Sequence, residues 1–204
     1  KSAFNKQVDM LPLFAGGADD VQGAVRRIAA EELGVREEEI FGMDLYLYNR
    51  MQPSVWGKDG EFLSAPRLDD LQCAYTSFAG FLRGADDRAV NVFACFDNEE
   101  VGSNTKQGAG STFLKDVLER INEGLGKTRE ELRRALASSF LVSCDNAHAV
   151  HPNHPEKTDQ SNCVYMNEGI VIKSHAGQQY TSDAFSIAVW RGVCERAGVP
   201  VQFF

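Results

Sequence analysis

No apolar run in this sequence approaches the ~20 residues that a membrane-spanning helix needs. Its opening stretch, KSAFNKQVDM, carries no apolar core of a signal peptide. No membrane partner is expected, and a cytoplasmic location is the simpler expectation. Positive charge is also scarce: 21 Lys and Arg stand against 29 Asp and Glu, a formal net charge of -8. The basic residues form no stripe that would neutralise a phosphate backbone, so nucleic acid is not an expected partner. The cysteines are odd in number, five, and no two have CxxC spacing. Neither a disulfide framework nor a zinc ribbon is suggested, and Cys73, Cys95, Cys144, Cys163 and Cys194 read as reduced, buried small hydrophobes. Internal repeats and low-complexity tracts are absent too.

What is present is an ordinary globular composition, 43% hydrophobic over 204 residues, enough for one domain and part of another. The start at Lys1 rather than Met leads us to expect a piece of a larger protein. Val21, Ala24, Val25, Ile28 and Ala29 fall at helical spacing, with Asp19 or Asp20 as cap and Gly34 as the stop. In FGMDLYLY, Met43, Leu45 and Leu47 alternate with Asp44, Tyr46 and Tyr48, the pattern of a half-exposed strand. Pro53, Gly57, Asp59 and Gly60 then mark a loop and a domain boundary, giving domains 1–51 and 52–204. The first is too short for a comfortable core of its own.

Beyond the boundary the pattern predicts strands at 62–64, 89–96, 140–144, 169–173 and 201–203. Helices are predicted at 71–83, 111–123, 130–137 and 183–196, with a Thr128-x-x-Glu131 capping box on the third. Apolar strands separated by helices indicate an α/β fold, a mostly parallel mixed sheet with helices on both faces. Sites in such sheets collect at the carboxyl ends of strands.

Three carboxylate clusters have that setting. FDNEEVGS places Asp97, Glu99 and Glu100 directly behind the apolar run AVNVFACF, and Gly102 permits a turn there. With such a turn, one glutamate binds a metal while its neighbour acts as a base; without it, the motif is a solvated acidic loop. APRLDDL sets Asp69 and Asp70 at a helix entry, where simple N-capping is the alternative. FLVSCDNAHAVHPNHP adds Asp145 after an apolar strand, followed by His148, His151 and His154, which serve either as ligands or as hydrogen-bonded structural residues. GAGST lacks the order of a P-loop and reads as a helix start.

Taken in order, PRLDDL, DNEEVGS, SCDNAHAVHPNHPEK and GIVIKSHAGQQYTSDA closely resemble the aspartyl aminopeptidase and vacuolar aminopeptidase I family of dinuclear zinc peptidases. The similarity runs over most of the chain from about Glu61. FNKQVDMLPLF and DLYLYNRMQP also look like that family's inserted dimerisation domain. The resemblance implies that residues 1–51 are the C-terminal part of that domain and 52–204 the central part of the catalytic domain. It implies two divalent ions, zinc by default with manganese or cobalt as substitutes. Asp69 would bridge them, Glu100 would bind one and Asp145 the other, and Glu99 would be the general base. Lys173 and Tyr180 fall where the family contacts the substrate. The implied activity is release of N-terminal Asp or Glu from peptides by a homo-oligomer built from dimers. Alternatives are a preference for neutral N-terminal residues, or a non-catalytic assembly module.

Two departures stand out. The family takes one ligating His from an early His-x-Asp segment and another from near its C-terminus, and neither segment is in this sequence. Each metal then lacks one imidazole, so the 204 residues alone are expected to bind zinc poorly and to be inactive. The second is Asp70, an added carboxylate where many relatives have Asn.

Overall fold

A computed structural model describes residues 4–17, 21–84 and 88–204. The chain divides into two units, Lys1–Arg50 and Met51–Phe204.

In the first unit, helix α1 spans Ala24–Leu33 and ends where Gly34 turns left-handed (φ 65°). The Gly34 N–H there reaches back to the Ala30 and Glu31 carbonyls. The suggested caps Asp19 and Asp20 lie outside the described residues. Arg26 Nη1 donates to the Ile40 carbonyl at 2.7 Å, and Ala30 and Ile40 are the unit's only buried apolar residues among those described. The alternating segment predicted as a strand at 43–48 forms no strand among the described residues. A strand is defined by its ladder, and the described residues supply no neighbour for this one.

The second unit opens on a hairpin. Strand β1 (Ser54–Trp56) pairs antiparallel with β2 (Phe62–Ser64), so the predicted boundary loop contains a strand. Trp56 stacks on Phe62 at 4.6 Å and its Nε1 donates to Ser64 Oγ at 2.7 Å. Helix α2 (Leu68–Arg83) follows and packs Phe78 and Phe81 against Phe93 of the extended segment 89–96. Helix α3 (Phe113–Gly124) begins with Phe113 edge-on to Phe96. Helix α4 (Arg129–Ala137) has the predicted Thr128/Glu131 capping box.

The last third is a right-sized βαβ unit. Strand β3 (Ile170–Ile172) runs parallel to β4 (Val201–Phe203), and helix α5 (Ala184–Ala197) connects them. Gly169 sits at φ 108° against the Pro200 carbonyl, where any Cβ would collide. Among the described residues of Met51–Phe204, Val164, Ile172 and Cys194 are the buried apolar side chains.

The fold is therefore α/β, but its described sheets are two separate pairs, one antiparallel and one parallel. The predicted strands at 89–96 and 140–144 form no strand pairing among the described residues. The cysteine reading also changes: only Cys194 is buried, and Cys95 and Cys144 are exposed. No helix among the described residues is long and apolar enough to cross a membrane.

At the start of α5, Asp183 accepts from the Ser186 N–H at 2.7 Å and from the Ser186 hydroxyl. These bonds, the backbone one foremost, hold the Asp183 carboxyl below its usual value. A lowered folded-state value means that the cap's contribution is complete above the unfolded carboxylate range, about pH 4. It is lost as pH falls through the lower folded value. We expect a carboxyl-carbon NMR titration to put the Asp183 midpoint below that of an exposed, uncapped aspartate; an ordinary midpoint would mean that the cap does not form.

Candidate metal centre

The chain enters α2 through a turn rather than a regular first turn of helix. Arg67 is left-handed (φ 63°), Asp69 and Asp70 are non-helical (φ -84°, ψ 113° and φ -117°, ψ 27°), and the peptide between them is cis. The N-cap position makes no side-chain hydrogen bond. Asp70 Oδ1 is buried without a hydrogen-bond partner. Simple N-capping does not account for this pair, because a capping carboxylate would be accepting from the first N–H groups of the helix.

Asp145 comes to the same place from the end of the extended segment 140–144. One carboxylate oxygen from each of Asp69, Asp70 and Asp145 lies within 4.8 Å of the others. This group contains no histidine: His148, His151, His154 and His175 are outside it. His154 Nδ1 instead pairs with Glu156 at 3.1 Å, and His151 Nδ1 accepts from the Asn153 N–H at 3.2 Å. His175 lies edge-on to the Tyr180 ring at 6.3 Å.

The carboxyl end of β3 supplies the counter-charge. Lys173, 17% exposed, donates to Asp145 Oδ2 and, at 2.7 Å, to the Asn146 carbonyl. Its ammonium also lies 5.8 Å from the centre of the Tyr180 ring. One ammonium against three ionised carboxylates leaves two negative charges uncompensated, the deficit that one divalent cation would fill. Together with the orphaned Asp70 oxygen, this makes the residues a fit for a divalent ion with oxygen ligands.

Two residues that sequence reasoning did not select hold this cluster together. Asn146 Nδ2 donates to the Leu68 carbonyl at 3.4 Å, and its Oδ1 accepts from the Cys73 thiol at 2.9 Å. The position of Asn146 beside Asp145 was the available signal. Cys73, one helical turn beyond Asp69, gave no signal by residue type.

Glu99 and Glu100 lie elsewhere in the local structure. They open a short 3-10 turn, Glu99–Val101, between two left-handed residues, Asn98 (φ 61°) and Gly102 (φ 94°). Asn98 Nδ2 donates to Thr105 Oγ1 at 3.0 Å, and the Gly110 N–H donates to the Ser103 carbonyl at 3.0 Å. Gly108 packs so closely on Ser103 that a Cβ would strike its carbonyl. The turn that Gly102 was expected to allow is present, and both glutamates are exposed on it. The 4.8 Å carboxylate group does not include them.

Cys73 sits against two of the carboxylates. Burial first, then a hydrogen bond with Asp70 and the nearby Asp70, Cys144 and Asp145 charges, push its thiol up to about 12. It therefore remains a thiol at any ordinary pH, a donor rather than a thiolate ligand. Iodoacetamide at pH 8 should modify the exposed Cys95 and Cys144 well before Cys73, as peptide mapping by mass spectrometry would report. Early loss of the Cys73 thiol would contradict this environment.

Comparison with known proteins matches residues 6–204 to the aminopeptidase I zinc metalloprotease (M18) family. A probable M18 family aminopeptidase 2 of Clostridium acetobutylicum is 46% identical over 202 residues, covering 98% of this chain and 47% of the relative. An aspartyl aminopeptidase of Caenorhabditis elegans is 36% identical over 181 residues, covering 86% of this chain and 38% of its own length. Among solved structures, the mApe1 dodecamer of baker's yeast is 29% identical with a TM-score of 0.73, covering 88% of this chain and 42% of that one. The chain thus spans about half the length or less of these proteins. Over nearly all of its own residues, it belongs to the aminopeptidase I zinc metalloprotease (M18) family.

Proposed function

We propose that this chain is the central part of a metal-dependent aminopeptidase that releases N-terminal acidic residues, Asp or Glu, from peptides. The observation that carries the reading is the convergence of Asp69, Asp70 and Asp145 from two distant segments of an M18 chain. Asp69, Asp145 and Glu100 would hold the two ions, Asp69 as the ligand shared by both, with zinc as the default metal and manganese or cobalt as alternatives. When bound, such ions polarise a scissile carbonyl and lower the pKa of a water between them.

The remaining work falls to side chains of this chain. Glu99, on its turn beside Glu100, takes a proton from the attacking water and delivers it to the leaving amine. Lys173 and Tyr180 face the substrate: the ammonium pairs with its acidic side chain, and the phenol stands by the developing oxyanion. Exposure of both glutamates outside the Asp69/Asp70/Asp145 group fits a centre that closes only with further chain.

The same reading covers the rest of the molecule. The 204 residues expose 17662 Å², against about 9,500 Å² expected for a compact monomer of this length. Phe41 is 97% exposed and Leu13 93%. We take residues 1–51 as the C-terminal part of a dimerisation domain, and 52–204 as a catalytic core whose unpaired extended segments join a mostly parallel sheet. A homo-oligomer built from dimers would cover the apolar surface. The unpaired thiols suit the cytoplasm.

In the full-length protein, Glu99→Gln should lower hydrolysis of an N-terminal Asp anilide by at least about 100-fold while metal content is unchanged. Full activity in that variant would remove Glu99 from the mechanism. Lys173→Ala should abolish the preference for Asp over Leu anilide, measured as the ratio of the two kcat/KM values. A variant that kept its preference would end the argument for acidic substrates.

A further inference from the structure

The carboxylates of the proposed centre come from segments about seventy residues apart, and few apolar contacts hold those segments in place. Asn146 touches both sides. Its amide N–H donates to the Leu68 carbonyl at 3.4 Å, its amide oxygen accepts from Cys73 at 2.9 Å, and its own carbonyl accepts from Lys173 at 2.7 Å. Leu68 precedes Asp69 and Cys73 lies one helical turn beyond it, so the two side-chain bonds bracket the Asp69–Asp70 turn. Lys173 connects the same peptide to the end of β3.

We propose that Asn146 is a positioning residue of the metal centre: its side-chain amide fixes Asp145 opposite the Asp69–Asp70 turn by bridging Leu68 and Cys73. The inference rests on the metal-centre reading above and assigns a role that the ligands themselves do not have.

An amide suits the place for a definite reason. Leu68 offers a carbonyl, which needs a donor, while Cys73 offers an S–H, which needs an acceptor, and a primary amide supplies both from one planar group. An aspartate at 146 would match in size but lose the donor, and would add a fourth carboxylate to a cluster already short of positive charge. Removing an outer partner of this kind lowers metal affinity by about 10- to 100-fold in metalloproteins generally.

The test is titration of Mn2+ into the metal-free full-length protein, followed by calorimetry, with Asp145→Ala as the ligand control. Asn146→Ala should weaken binding at least tenfold. Cys73→Ser, which keeps a donor, should stay within a few fold of wild type, and Cys73→Ala should weaken binding. The double variant Asn146→Ala/Cys73→Ala should bind no more weakly than Asn146→Ala alone, because the two residues share one bond. Excess Mn2+ should restore the anilide hydrolysis of Asn146→Ala.

If Asn146→Ala binds Mn2+ like the wild type while Asp145→Ala does not, the positioning role is wrong and the metal centre stands. If Asp145→Ala also binds like the wild type, or the wild type binds no Mn2+, the metal-centre reading fails and this inference with it. Should Asn146→Ala fail to fold, the Cys73→Ala and Cys73→Ser pair decides: equal affinities overturn the proposal.

Discussion

Holding like charges together is the constraint on which the second unit depends. Three carboxylate oxygens within 4.8 Å of one another repel, and nothing in local sequence draws Asp145 toward Asp69 and Asp70. The attraction has to come from outside the cluster. Part of it is Lys173, which is mostly covered and so meets Asp145 with less solvent screening than a surface lysine would. The rest is the bridge from Asn146 to Leu68 and Cys73. An ion pair of this partly buried kind earns its place less through net stability than through the geometry it enforces. Here that geometry is a convergence of oxygens suited to a hard or borderline divalent ion.

Polar links matter so much because the apolar ones are few. Among the described residues only Ala30, Ile40, Val164, Ile172 and Cys194 are buried apolar side chains. The sequence has the hydrophobic content of a normal core, so this residue supply exists but is turned outward. Phe113, Val117, Ile121 and Leu125 recur at the i, i+4 spacing of one helical face, and all are at least partly exposed. Such a surface is the normal state of core residues whose opposing elements belong to other chain. It agrees with the half-length match to the M18 relatives.

Helices were legible in the sequence because their signals are local. Gly34 stopped α1, Thr128 and Glu131 capped α4, and Asp183 capped α5 close to the expected places. The strands predicted at 62–64, 169–173 and 201–203 are present and paired as β2, β3 and β4, whereas three other predicted strands form no ladder among the described residues. Residues 43–48, 89–96 and 140–144 have strand composition, but pairing depends on partners that composition does not name. The β1–β2 hairpin was missed in part because 51–60 was read through Pro53, Gly57 and Gly60, although Val55 and Trp56 favour strand. Of the residues singled out by motif, Asp69 and Asp145 share one carboxylate cluster, Lys173 reaches Asp145 and lies near Tyr180, and Glu99 and Glu100 are outside the cluster. Asp70, noted as an extra carboxylate, joins Asp69 and Asp145. Asn146 was signalled only by its place beside Asp145 and Cys73 by nothing, since neither an amide nor a thiol declares its role until its partners are known.

Lys173 links the two halves of the proposed chemistry. An ammonium has three N–H donors, and two are engaged by Asp145 and the Asn146 carbonyl. In the proposed function the third would meet a substrate carboxylate; the Tyr180 ring centre lies 5.8 Å from the ammonium. The lysine that would select an acidic substrate is thus aimed by a proposed metal ligand, and the order of the site and the choice of substrate are coupled through a single side chain. Loss of Lys173 would then do more than delete one contact with substrate: it would free Asp145 and leave the cluster's charge less compensated. Arginine would restore the charge but not the fit, because its planar fork is longer and cannot place single donors on Asp145 and the Asn146 carbonyl in the same way. A compact, rotatable point charge is what this corner of the fold requires.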